Sequence, residues 1–180
     1  MEDILLSKGR PENFTERLPK EQRCYELLDR LGVEYYRVDH EHADTIEACH
    51  AIEGTLGASI CKNLFLCNRQ QTDFYLLLMP GDKPFKTKYL SAQLGCSRLS
   101  FGSEEQLLHY IGTTHGSASV LGLLNDRGHA VHLIADNDLK NAEWFACHPC
   151  RNTSSLRLRT ADLLSVYLPH TGHTPVRVTL

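Results

Sequence analysis

The 180-residue chain reads as a single domain of mixed α/β class. Three observations predict this. Apolar runs of strand length alternate with stretches whose apolar residues recur at helical spacing. At least two strand pairs are joined by short polar turns, as in hairpins. No Pro/Gly/Ser-rich linker, internal repeat or low-complexity segment divides the chain. The pattern suggests a mixed sheet, open or closed into a barrel, with helices outside it.

The elements follow in order. Pro19 suits a first helical turn, Cys24, Leu27, Leu28 and Leu31 keep helical spacing, and Gly32 stands where a helix would end. "VEYYRVDH" is rich in β-branched and aromatic residues and predicts a strand. Asp44 and Glu47 have capping-box spacing for a second helix through about Glu53, stopped by Gly54. "KNLFLC" and "DFYLLLMP", joined by the polar "NRQQT", predict a hairpin. Lys86 to Leu94 predicts a helix ended by Gly95, and Ser103 with Gln106 a capping box opening a helix to Ile111, before Gly112. After the loop "GTTHGSAS", strands are expected at "VLGLLN" and "AVHLIAD", joined by "DRGH". Short strands are expected around Trp144 to Ala146 and at "SSLRLR". Thr160 is expected to cap a last helix through about Leu168, and "PVRVTL" closes with a strand.

Composition limits the function classes. Hydrophobic residues make up 42% and charged residues 23%, an ordinary balance for a chain that buries a core. A formal net charge of −3 gives no global positive field for coating DNA or RNA. It leaves room for recognising a short RNA end through a few local cations. No apolar run approaches the roughly 20 residues needed to cross a bilayer, and "MEDILLSKGRPENF" lacks the apolar core of a signal peptide. Seven scattered cysteines, an odd number, fit free cytosolic thiols better than a disulfide framework. A cytoplasmic location is therefore expected, with no membrane and no DNA as partner.

Several constellations invite chemistry. Cys147 and Cys150 form a CxxC, but the residues around them read as strand and loop, so no helix dipole would activate a thiol. A structural zinc site would need a second ligand pair, and no metal is expected. His40 and His42 form a His-x-His pair that reads best as a solvated loop. The loop "GTTHGSASVLG" matches neither the dinucleotide fingerprint nor the P-loop. Its backbone amides are equally able to form an oxyanion nest or merely to connect two elements. Lys62 opens an apolar strand and shares a face with Leu64 and Leu66, while Asn63 and Phe65 point the other way. Lys83, Lys86 and Lys88 would supply either a cation patch or a solvated helix face.

Four motifs taken together, "CKNLFL", "SRLSFGSEEQLL", "GSASVLGLLND" and "FACHPCRNTSSLRL", occur in this order in the YbaK/ProX-type family. The chain resembles these stand-alone relatives of the editing insertion domain of bacterial prolyl-tRNA synthetase from about Tyr25 to its C-terminus. The resemblance is strongest to the ProX branch, on "KNLFL" and "CHPCRN". It implies residues 1–18 as an N-terminal extension and residues 19–180 as the editing domain. The implied fold is a mixed, mostly antiparallel sheet curved into a barrel-like core with surrounding helices.

The implied activity is hydrolysis of mischarged tRNA(Pro), foremost Ala-tRNA(Pro). Alternatives are Cys-tRNA(Pro) or another small aminoacyl-tRNA, and a non-catalytic module that binds a tRNA end or the synthetase. The resemblance implies Lys62, Asn63 and His148 as active-site residues, with Gly116, Ser117, Ala118, Ser119, Val120 and Asn152 around the substrate. Val120 departs from the proline that related insertion domains often carry there. No cofactor is implied. The implied partners are the acceptor end of mischarged tRNA(Pro) and, transiently, prolyl-tRNA synthetase.

Overall fold

The computed structural model describes residues 4–43 and 45–180. Its described strands form two sheets rather than one closed barrel. The first has the order β1–β2–β8–β7, from Leu6–Lys8, Tyr35–Asp39, Ser154–Arg159 and Trp144–Cys147, and is antiparallel throughout. The second has the order β5–β3–β4–β6–β9, from Ser100–Phe101, Lys62–Cys67, Phe74–Met79, Val131–Asp136 and Val176–Val178. Here β3 pairs antiparallel with β4 and β5, while β6 lies parallel to β4 and β9 parallel to β6. A parallel neighbour requires a crossover, and the chain between β4 and β6 supplies it through α3 (Thr87–Leu94), β5 and α4 (Glu104–Ile111).

Most expected elements are present. Helix α1 (Pro19–Arg30) has proline in its first turn, and Gly32 beyond its end adopts φ +69°. The "KNLFLC"/"DFYLLLMP" hairpin forms, pairing Lys62 with Met79 through Cys67 with Phe74. Helix α3 ends at Gly95 in the left-handed region. The capping box of α4 is complete: Ser103 Oγ accepts from the Gln106 amide and Gln106 Oε1 from the Ser103 amide.

Four expectations are corrected. "VLGLLN" is a 3₁₀ helix, Val120–Asn125, not a strand, so it forms no hairpin with β6. Ser119 explains the change: its hydroxyl accepts from the Leu121 amide and its carbonyl from the Gly122 amide, which winds the chain. Helix α2 (Ile46–Leu56) continues through Gly54 and stops at Gly57, φ +69°; a helix tolerates one glycine at about 1 kcal/mol. Asp44 lies outside the described residues, and Thr45 caps α2 by accepting from the Ala48 amide at 3.1 Å. The last helical run begins with Thr160 inside it and is broken into Thr160–Asp162, a π-helical turn Leu163–Tyr167, and Leu168–Thr171.

The main core lies between the sheets and the helices. It joins Tyr25 and Leu28 of α1, Leu76 and Leu133 of the second sheet, Phe145 and Leu156 of the first, and Tyr167. Tyr167 Oη donates to the Leu121 carbonyl at 2.6 Å, which ties the π turn to the 3₁₀ helix. No described helix is long and apolar enough to cross a membrane.

Candidate active site at the seam of the sheets

The two sheets touch just before β3. Ile60 makes a parallel bridge to Ala146, and the Cys61 amide donates to the Ala146 carbonyl at 3.0 Å. This seam places the start of β3, which carries Lys62 and Asn63, beside the end of β7, where His148 follows Cys147. Lys62, Asn63, Gly116, Ala118 and His148 line one cavity of about 370 Å³.

On one face of β3, the Lys62 ammonium donates to the Lys83 carbonyl. One of its three N–H donors is thereby fixed and the others remain for a ligand. On the other face, Asn63 is held in both directions. Its Oδ1 accepts from the Val120 amide at 2.8 Å and its Nδ2 donates to the Cys61 carbonyl at 3.0 Å. The first bond fixes the amide orientation, because a backbone N–H can only donate. Asn63 thus pins the loop to the strand.

The loop alternates. Gly116, at φ +78°, and Ala118 face the cavity, while Ser117, Ser119 and Val120 are buried away from it. Among the described residues the amides of Gly116 and Ala118 meet no protein acceptor. Asn152 Nδ2 stands 3.4 Å from where a Cβ on Gly116 would lie, so Asn152 abuts the loop without lining the cavity.

His148 is defined by its partners. Its Nδ1 lies 2.8 Å from the Ser154 carbonyl and 3.3 Å from Ser155 Oγ. A carbonyl only accepts, so Nδ1 carries the proton and Nε2, on the opposite edge of the ring, is a lone-pair acceptor. Burial pushes the His148 imidazole below its usual 6.5, and the bond to Ser154 opposes this only in part. The imidazole is therefore neutral at pH 7. Ser155 Oγ also lies 2.9 Å from His40 Nε2, and His40 Nδ1 lies 2.7 Å from the Glu41 carbonyl. His40 thus stands behind His148, bridged by Ser155.

The CxxC thiols are withdrawn from solvent. Cys147 and Cys150 are fully buried, and burial holds the Cys147 thiol protonated. Cys150, at φ +60°, turns the chain and lies 3.5 Å from the Cys24 sulfur. Burial pushes the Cys61 thiol, in the cavity wall, up to about 11, so it is no thiolate nucleophile at neutral pH. The lysine patch is also reduced: Lys83 is paired with Asp136 and Asp138 at 2.8 and 2.7 Å. Phe101, His115 and Leu107 also line the cavity, and none of them was among the residues expected at the site. Phe101 and Leu107 lie in the "SRLSFGSEEQLL" motif and His115 in the "GTTHGSAS" loop, but nothing in their spacing ties them to Lys62.

The profile of a family described as the aminoacyl-tRNA editing domain matches residues 40–166. A curated relative, the prolyl-tRNA editing protein ProX of Acetoanaerobium sticklandii, is 33% identical over 136 residues, 76% of this chain and 83% of its own. The prolyl-tRNA synthetase associated domain-containing protein 1 of Danio rerio is 31% identical over 153 residues, covering 84% and 82%. Among solved structures, one described as a candidate trans-editing enzyme for prolyl tRNA synthetase superposes with a TM-score of 0.66. That match covers 91% of this chain and 99% of the other at 16% identity, a likeness of fold.

Proposed function

The chain belongs to the aminoacyl-tRNA editing domain family, and we propose that it deacylates mischarged tRNA(Pro) in trans, with the alanyl ester as substrate. The observation that carries this reading is the convergence of Lys62, Asn63, His148 and the Gly116–Ala118 wall on one cavity. An aminoacyl ester is already activated, so its hydrolysis needs positioning and charge stabilisation more than a strong nucleophile.

In this mechanism water attacks the ester carbonyl carbon. His148 Nε2 accepts the water's proton, and negative charge develops on the carbonyl oxygen between the Lys62 ammonium and the amides of Gly116 and Ala118. Collapse breaks the bond to the ribose oxygen, which takes the proton back from His148 Nε2 as it leaves, releasing alanine and tRNA. Asn63 holds the loop that carries the amides and does not itself touch the ester. Ser117, Ser119, Val120 and Asn152 shape that wall from behind.

Specificity follows from size. A synthetase pocket built for proline discriminates weakly against a smaller side chain, since missing methylenes are worth only about 1–3 kcal/mol. A second, smaller site that admits alanine and excludes proline corrects the error. The natural partner is the tRNA acceptor end in the cytoplasm, with prolyl-tRNA synthetase as a transient neighbour. The test is the rate of hydrolysis of alanyl, cysteinyl, seryl and prolyl esters of tRNA(Pro). The alanyl ester is expected to react fastest and the prolyl ester to survive. Faster hydrolysis of the cysteinyl ester would reassign the substrate, and binding without hydrolysis of any ester would overturn the enzymatic reading.

A further inference from the structure

Phe101 is an exposed aromatic at the rim of the candidate site. Its surface is 60% exposed, although it lines the same cavity as Lys62, Asn63 and His148. The fold fixes it there. β5 pairs with only the far end of β3, Phe101 opposite Leu66. The Gly102 amide then donates to the Phe65 carbonyl at 3.0 Å. Gly102 runs so close over the Phe65 ring that an added Cβ would stand 2.4 Å from it. Phe85 meets the Phe101 ring edge to face, with centroids 6.3 Å apart and planes at 77°. The ring is braced while most of it stays open to solvent.

Residues directly paired across strands share a sheet face, as do residues two and four apart on one strand. Phe101 therefore stands on the same face as Leu66, Leu64 and Lys62, about 14 Å along the strand from Lys62. An aminoacyl-tRNA carries its ester on the ribose of its last nucleotide, and the base of that nucleotide is bonded to the same sugar. With the ester carbonyl between Lys62 and His148, the base must leave the cavity along its wall. A flat, open aromatic ring on that wall is a stacking surface for it.

We infer that Phe101 stacks on the 3′-terminal nucleobase of the substrate, forming a base-binding subsite beside the ester cavity. This inference rests on the deacylase reading above. Stacking holds the nucleoside without reading the amino acid, so discrimination stays with the Gly116–Ala118 wall.

The test is equilibrium binding of an unacylated tRNA(Pro) acceptor-stem hairpin, ending either in adenosine or in a ribose without a base. The full chain is compared with Phe101→Ala and Phe101→Trp. Base stacking predicts that Phe101→Ala weakens binding of the adenosine hairpin by about 5-fold to 150-fold. Removing the base should weaken the unaltered chain similarly, Phe101→Ala should add nothing on the baseless hairpin, and Phe101→Trp should restore affinity. Equal losses on both hairpins would assign Phe101 to another contact and overturn the inference, as would no loss on either. Hydrolysis of alanyl-tRNA(Pro) is read separately. A chain that hydrolyses the ester yet binds both hairpins alike refutes the stacking alone, whereas base-dependent binding without hydrolysis refutes the deacylase reading alone.

Discussion

His148 is set up as an acceptor by two features, the Ser154 carbonyl that holds its Nδ1 proton and the burial that disfavours its charged form. The sign is definite. A histidine whose folded pKa lies below 6.5 is already neutral at pH 7. Lowering the pH through the folded value protonates Nε2 and removes the base of the proposed mechanism. The expected kcat/KM profile carries an acid limb below the ordinary histidine range, and His148→Gln should lose both rate and limb. A limb that survives in His148→Gln would move the titration to another group. The same shift contributes stability that is present above pH 6.5 and lost as pH falls through the depressed value. Asn63 gives a different kind of test. Asn63→Ala leaves the Val120 amide, in a fully buried residue, without its acceptor, which should cost about 1–3 kcal/mol of stability. Hydrogen exchange at Val120 should accelerate; unchanged protection would mean the loop is held by something else.

At the scale of elements, the 3₁₀ helix Val120–Asn125 shows why some of the fold was readable and some was not. Local chemistry wrote α1, the β3–β4 hairpin and the α4 capping box plainly into the sequence. "VLGLLN" was not legible, because a short, nearly continuous apolar run has no periodicity to separate strand from helix. The Ser119 cap winds it locally, and tertiary packing needs the glycine that follows: Gly122 sits so close on α4 that an added Cβ would lie 2.5 Å from the Ile111 carbonyl oxygen. Gly122→Ala should therefore destabilise the chain by about 1–3 kcal/mol, read as a lower urea midpoint; an unchanged midpoint would refute the close packing. The site was legible in the same uneven way. Lys62, Asn63, His148 and Gly116 came from motifs and converge on the seam. Ser155 and His40, which stand behind His148, are separated by 115 positions; His40 stood out only in a His-x-His pair read as a solvated loop, and nothing local tied it to Ser155 or His148.

Across the whole molecule, the N-terminal segment is tied to the first sheet through charge. Arg17 pairs with Glu21 at 3.1 Å and with Asp39 at 2.8 Å, and the Glu21 side chain is fully buried. Arg37 also meets Asp39, and Ser154 Oγ donates to it at 2.6 Å, so the network reaches β8 and the turn that orients His148. Removing one partner of such a pair strands a buried charge. Arg17→Ala should cost about 3–5 kcal/mol, seen as a large fall in thermal midpoint, and Glu21→Gln in the same chain should recover part of it. Additive losses would contradict the pairing. In the proposed mechanism the two sheets matter because their seam brings Lys62 of one beside His148, which follows the last strand of the other. The most direct measurement is hydrolysis of alanyl-tRNA(Pro) by the unaltered chain and by Lys62→Ala, with the fold of both checked by circular dichroism. The seam site predicts a loss of about 100-fold or more in the variant with an unchanged spectrum. Equal rates from the two folded proteins would contradict it.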